Sequence, residues 1–442
     1  MTLADRTRTI FSRDWTTDLP GGDATLVVLV MLALYTWVGL FGIILGLDVS
    51  GLLNSLQTIT FYAAVYAILA LALNLQWGYA GLFNVGVVGF MAVGVYTMAI
   101  LSRPVAPISG PPGFGLPLPI GLIGGVLAAA VIGLVAAIPA LRVDDDYFAI
   151  ITLGLAEIIR IVISSPAADE FRVGSIRTGT GGANGLSLPQ NPIHSIYYTD
   201  PASPAAGTTP VGDAVFSIFE AVHVDPAVVV KITYAGVLVG FVVLYFVFLS
   251  RVGNSPYGRV LKAIREDELV ANSLGKNTDR FKVETFIVGC ALMGLGGILW
   301  QGSQGFTSPG NYLPQQTFYI FIALIIGGAG SNTGSIIGGA LFAGLLFEGP
   351  RLISRLVDQF LTFRSSPNNF VDAVVPLLSL DIGPFIVYAL DSIAYLRFIL
   401  VGSILIYFIH NRPQGLLGHR KEIAASIDLL DRSAETEGAD DE

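Results

Sequence analysis

A chain of 442 residues that is 53% apolar, only 13% charged and +0.69 in mean hydropathy falls outside the soluble range, where about a quarter of residues are charged. The composition is that of a polytopic membrane protein. A net charge of −9 with no basic stripe outside one loop excludes nucleic acid as a partner, and a single cysteine, Cys290, excludes an internal disulfide.

In chain order, a polar segment 1–23 precedes a first expected span from Ala24 to Leu47. No cleavable signal peptide is apparent, because that apolar run is long enough to cross. A second span, Gln57 to Gln76, leads into the turn Trp77-Gly78-Tyr79-Ala80-Gly81, and a third runs from Asn84 to Leu101. The Pro/Gly stretch Arg103 to Pro117 reads as a loop, followed by spans at Pro119 to Leu141 and Tyr147 to Ile163. A long polar stretch, Ser164 to Asp225, separates these from a sixth span, Ala227 to Leu249.

Next comes a charged insert, Gly258 to Lys282 (GRVLKAIREDELVANSLGKNTDRFK). Counting Arg251, its basic side chains are Arg251, Arg259, Lys262, Arg265, Lys276, Arg280 and Lys282, against the acids Glu266, Asp267, Glu268 and Asp279. Short loops this rich in Lys and Arg stay on the cytoplasmic side. Tyr257 to Arg265 is expected to form a short helix with Val260, Leu261 and Ile264 on one side. Asp267 then caps a second helix that Gly275 ends. The result is a compact knob whose apolar stripe needs a cover, from this chain or from a soluble partner.

Beyond the knob, spans are expected at Val283 to Gly302, Phe318 to Ile326 and Ser335 to Phe347, the last two separated by the glycine-rich turn 327–334. Glu348 to Tyr395 is ambiguous, since Phe370 to Leu380 is apolar but too short to cross. Leu396 to Ile409 closes the set, followed by Arg412, Arg420 and Lys421 and an acidic tail, 419–442, expected to be a solvated disordered terminus. About ten transmembrane helices follow, an all-α polytopic membrane domain over 24–418. Both termini and the charged segment 250–282 are then cytoplasmic, and the loops 164–225 and 349–394 lie outside.

Glycine is abundant, 51 residues, and its ordinary use in lipid is close helix packing. Trp77 to Gly81 and Gly327 to Gly334 are the places where helices break and backbone can line a cavity. Glu157 and Arg160, three apart on one helical face, are the charged pair at depth, either a structural ion pair or part of a path. Asn74, Gln76, Asn84, Gln301 and Gln304 are read as ordinary interfacial residues at span ends. The glycine turn lacks the lysine of a P-loop, and no G-x-S-x-G occurs. The four histidines (His194, His223, His410, His419) have no metal-ligand spacing. A chain of this kind is expected to bind no ATP, metal or cofactor and to be no enzyme by itself.

The run GRVLKAIREDELVANSLGKNTDRFKVETFIVGCALMGLGG resembles the coupling segment and following helix of branched-chain amino acid permeases of ATP-binding cassette importers, in particular the longer permease subunit. Further pieces match in order: residues 73–81 (LNLQWGYAG), 146–153 (DYFAIITL), 180–186 (TGGANGL), 327–331 (GGAGS) and 412–418 (RPQGLLG). The resemblance covers about 57–418. It implies a type II importer-like permease that pairs with a second, homologous permease, two cytoplasmic ATPases carrying ATP and Mg, an extracytoplasmic solute-binding protein and a small-molecule substrate.

Gly258, Arg259, Ala263, Arg265, Glu266, Asp267, Glu268, Ala271 and Gly275 then stand at the ATPase-coupling positions, and the ATPase covers the apolar stripe. Asn74, Tyr79, Asn84, Tyr147, Thr152, Glu157 and Arg160 are the translocation-path candidates. Three acids, Asp144 to Asp146, depart from the family pattern, as do Val270 and Asn272. The lengthened loop after Leu188 and the insert Ile353 to Ser392 read as solvated acidic decoration or, as the alternative, as segments that alter docking of the binding protein. A urea or short-chain amide permease shares these motifs and stays open as an alternative. A secondary transporter or channel needs several deep ionisable pairs, and the sequence offers one.

Overall fold

The computed structural model describes residues 22–105, 110–140, 145–174, 176–201, 203–360, 367, 369–379, 381–391, 393–412 and 414–417. The segment 1–21, Asp144 of the acidic triplet, Arg420, Lys421 and the acidic tail lie outside the described residues.

Helices dominate, and their ends follow local chemistry. Helix α1 is Gly22–Ile44, and α2 is Val49–Leu73, capped by Asp48 accepting from the Gly51 amide and prolonged by a π-helical turn, Asn74–Tyr79. After an irregular stretch come α3 (Val87–Ser102), α4 (Leu118–Ala140) and α5 (Asp145–Ser164). The long polar stretch is not featureless. It holds an antiparallel hairpin of β1 (Phe171–Val173) and β2 (Ile176–Thr178), the strand β3 (Leu186–Ser187) and α6 (Pro210–Glu220), which Thr209 caps.

Then follow α7 (Pro226–Asn254), α8 (Pro256–Glu266), α9 (Glu268–Ser273) and α10 (Thr278–Gln301). Proline at the first position opens α6, α7 and α8, where its missing N–H costs nothing. Strand β4 (Phe306–Thr307) pairs with β3, and α11 (Pro314–Gly327) and α12 (Asn332–Ala343) flank the glycine turn.

A second π-helical turn, Gly344–Glu348, carries α12 on into α13 (Gly349–Phe360). The expected loop therefore does not begin at residue 349. Glu348 pairs with Arg351 one turn on, so the helix continues through its charges. Short helices α14 (Phe370–Val374) and α15 (Gly383–Asp391) precede the last helix, α16 (Ile393–Asn411).

Every one of the ten expected stretches is thus helical. Among the described residues seven helices are long and apolar enough to cross a membrane, while α3 and α11 are shorter apolar helices. The described part of the insert presents apolar side chains as well as acids. Phe370, Val371, Val375, Ile382 and Ile386 are exposed beside Asp372 and Asp381, and Leu378 is 90% exposed.

The core is built on α2, whose residues from Ala63 to Leu73 are all buried. Around it pack α7, α10, α11 and α12, with α3 and α4 against the outer side of α10. Lipid supplies no hydrophobic drive between helices, so small residues set these contacts. A Cβ on Gly94 would fall 2.7 Å from the Gly294 carbonyl oxygen, and one on Gly339 would fall 2.6 Å from the Ala67 nitrogen. Helix α1 stays peripheral, with only Val38 and Gly42 buried. Helices α2 and α7 start side by side, where Ser50 Oγ donates to Asp225 Oδ2 at 3.1 Å, and both run to the end that carries α8 and α9.

Candidate functional site

At that end α8 and α9 form the knob. Ser255 caps α8 by accepting from the Gly258 amide at 3.2 Å. Gly258 is pressed against the end of α7, where a Cβ would sit 2.3 Å from the Val252 oxygen. Leu261 and Ile264 are buried against the chain's own bundle. This corrects the expectation that an ATPase covers that stripe: the cover comes from within the chain, which the helix period alone leaves undecided.

The uncovered apolar surface belongs to α9. Asp267 caps it by accepting from the Val270 amide at 3.0 Å, and Gly275, at φ +78°, ends it in the left-handed conformation that favours glycine. Ala271 faces inward, while Leu269, Val270 and Leu274 are 78%, 54% and 73% exposed. The first turn is held down by Lys282 Nζ, 2.5 Å from Glu268 Oε2.

Arg265, on the exposed side of α8, reaches back to the bundle with one nitrogen. Its Nη1 donates to the Gly78 carbonyl at 2.5 Å, and its Nε and Nη2 donate to Glu266 Oε1 at 3.2 and 2.6 Å. The same guanidinium lies beside both helix breaks: a Cβ on Gly330 would be 3.1 Å from Nη1, and one on Gly81 3.3 Å from Arg265 Cγ. Lys262 Nζ sits 5.6 Å from the centre of the Tyr79 ring, within cation–π range. Of the nine coupling candidates, Gly258 and Ala271 are buried and Glu268 is ion-paired. Arg259, Ala263, Glu266, Asp267 and Gly275 are exposed, and Arg265 too is exposed, its side chain at 37%, while it bonds to Gly78.

The break after α2 is a braced structure. Asn74 Nδ2 donates to Asn332 Oδ1 at 3.0 Å, and its Oδ1 accepts from the Gly330 amide at 2.7 Å, tying the two breaks together. Gln76 Nε2 donates to the Phe286 carbonyl at 2.9 Å and its Oε1 accepts from Asn84 Nδ2 at 2.8 Å. The Asn84 carbonyl oxygen in turn accepts from the Gly86 amide. Thr152 Oγ1 accepts from the Val85 amide at 3.0 Å and Thr317 Oγ1 from the Val88 amide at 3.3 Å.

Asn74, Gln76 and Asn84 are therefore not interfacial residues at span ends, for each is 0% exposed. They supply the partners that a broken helix needs where no water reaches. Asn84→Ala is expected to cost about 1–3 kcal/mol by leaving buried groups unpaired, measurable as a lowered unfolding midpoint in detergent. Thr317 and Asn332, equal members of this network, escaped notice in the sequence. Each sits in a short polar run at the edge of an apolar stretch, Gln315-Gln316-Thr317 and Ser331-Asn332-Thr333, and nothing in that run singles it out.

The 412–418 motif closes the same region. Leu416 and Leu417 donate their amides to the carbonyls of Ile326 and Gly327, both at 3.0 Å, so the segment after α16 pins the glycine turn. Among the remaining path candidates, Tyr79 is buried and Tyr147 is 62% exposed. Glu157 and Arg160 form a two-point ion pair on the half-exposed face of α5, with Nε–Oε2 at 2.8 Å.

A membrane-embedded bundle with two braced helix breaks and a charged knob clasped to one of them is the frame for comparing this chain with known proteins. Residues 55–349 match the family model described as branched-chain amino acid transport system / permease component. The chain belongs to that family. It is similar to the high-affinity branched-chain amino acid transport system permease protein LivM of Escherichia coli (strain K12), 33% identical over 278 residues, which are 63% of this chain and 59% of that protein.

A probable branched-chain amino acid transport permease protein LivM of Methanocaldococcus jannaschii is 23% identical over 325 residues, 65% of this chain and 79% of its own. The permease protein BraD of Pseudomonas aeruginosa is 33% identical over 116 residues, 25% of this chain and 37% of its own. No solved structure matches. This permease-family chain thus spans about three fifths of the length of the Escherichia coli relative. The matched region holds both breaks and the knob, and ends at the second π-helical turn.

Proposed function

We propose that this chain is the membrane-spanning permease subunit of an ATP-binding cassette importer in the cytoplasmic membrane that moves leucine, isoleucine and valine inward. The observation that carries the reading is the knob: a capped two-helix element whose inner face is bonded to the helix breaks and whose outer face presents Leu269, Val270 and Leu274 to solvent. Relatives named as permeases of branched-chain amino acid systems support the cargo.

In this reading the knob end and both termini are cytoplasmic, in keeping with its basic side chains. A second, homologous permease completes the pore, two ATPases carry ATP and Mg, and a solute-binding protein delivers the cargo from outside. Leu269 and Leu274 enter a groove of one ATPase. Closure of the ATPases pushes α9, and Arg265 passes the displacement to the Gly78 carbonyl and the glycine turn. Tyr147, Glu157 and Arg160, on the outward face of α5, line the path at the subunit boundary. Asn74, Tyr79, Asn84 and Thr152 brace its wall.

Leu269→Asp tests the docking face. The variant is expected to insert in the membrane and reach the same unfolding midpoint as the parent, while co-purification of the ATPase subunits falls about tenfold or more, as for loss of an apolar anchor worth 1.5–3 kcal/mol. Undiminished co-purification would remove α9 from the interface. Glu157→Gln is expected to slow uptake without lowering the unfolding midpoint, since the pair is half exposed; a lowered midpoint with normal uptake would make the pair structural.

A further inference from the structure

A cavity of about 520 Å³ lies between α1, α12 and its π-helical turn, and α16, lined by Leu34, Trp37, Leu345, Ser403, Tyr407, Leu416 and others. Its volume is that of a small-molecule site, about 300–1,000 Å³. The wall is hydrocarbon. Its polar groups are a few single ones: the Ser403 hydroxyl already donates to the Ile399 carbonyl at 2.8 Å, and Tyr407 is exposed at the rim. A water molecule needs two to four polar partners, which this wall does not gather, so the occupant is apolar.

Its surroundings say which apolar group arrives. Helix α1, long and apolar enough to cross the membrane, leaves Leu32, Leu40 and Ile43 exposed, and α16 leaves Ile399, Ile406 and Tyr407 exposed. The rim therefore opens on the hydrocarbon of the bilayer, not on a water-filled space.

We propose that this cavity is a binding site for one acyl chain of a bilayer phospholipid, from the leaflet on the side of the knob. Leu416 places the site in the coupling region. It lines the cavity while its amide pairs with Ile326, next to the glycine turn that Arg265 abuts. Filling the site supports the segment that pins this turn. The assignment is independent of the cargo and of the transport reading.

The test is photolabelling of the full complex in nanodiscs of phosphatidylethanolamine and phosphatidylglycerol containing a trace of phosphatidylcholine with a diazirine at the chain end, mapped by peptide mass spectrometry. Labelling is expected to concentrate on the segments around Leu345, Tyr407 and Leu416. It should fall several-fold in Ser403→Trp and in Leu341→Phe, which fill the space from two different helices. Ile399→Trp, on the outward face, should leave it unchanged. Even labelling along α16 that neither filling variant reduces overturns the proposal. Absence of label from the lining while the exposed face of α7 is labelled overturns it too, by showing that a protein subunit covers the cavity.

Discussion

Arg265→Ala is expected to abolish substrate uptake while the complex still assembles and still hydrolyses ATP. The side chain makes the direct side-chain bond from α8 to the broken end of α2, and its loss leaves the Gly78 carbonyl without that partner. A hydrogen bond to a charged group is worth about 1.5–3 kcal/mol, which is about a 10- to 150-fold change in the ratio of uptake to ATP hydrolysis if the bond transmits the movement. Lysine at this position retains charge but not the fork that reaches Gly78 and Glu266 together, so Arg265→Lys should recover only part of the coupling. The ratio of the two rates, measured in proteoliposomes, separates this outcome from simple misassembly. An unchanged ratio in Arg265→Ala would make the clasp structural.

Gly338→Val is expected to be strongly damaging although it lies away from the knob. Here α12 crosses α11 so closely that a Cβ on Gly338 would sit 2.0 Å from the Ala323 oxygen and 2.7 Å from the Gly327 nitrogen. Backbone cannot yield as the end of a side chain can, and in lipid no hydrophobic gain compensates for the helices being driven apart. The cost should be about 3 kcal/mol, the upper end for overpacking, read as a loss of folded protein after detergent extraction. Gly240→Val is the matched control. Nothing lies within 4 Å of a Cβ there, so its yield and unfolding midpoint should match the parent.

What the sequence made legible was local. The two helices of the knob, the Asp267 cap and the Gly275 terminator were readable because each depends on residues within one turn. The motif at 73–81 marked a break for the same reason. What stayed hidden was set by distant partners. Gln76 bonds to Phe286, 210 positions away, and Asn74 to Asn332, 258 away. From the sequence alone these side chains therefore resemble polar residues at a membrane boundary.

The stripe of Leu261 and Ile264 announced that something must cover it but not what, since periodicity fixes a face and not its neighbour. Arg265 was placed among the coupling residues by resemblance, and only the fold shows that it reaches back to Gly78. In the insert, the acids suggested a solvated loop, and among the described residues exposed Leu378, Val371 and Phe370 stand beside exposed Asp372 and Asp381.

The central claim is that the knob couples ATP hydrolysis to import of branched-chain amino acids. The most direct measurement is the ATPase rate of the purified complex in lipid, with its solute-binding protein added empty, loaded with leucine, or loaded with urea. A rise with the leucine-loaded form alone, lost in Leu269→Asp and uncoupled from uptake in Arg265→Ala, is the predicted result. A rise with urea alone would contradict the cargo, and a complex that retains no ATPase subunit would contradict the coupled importer.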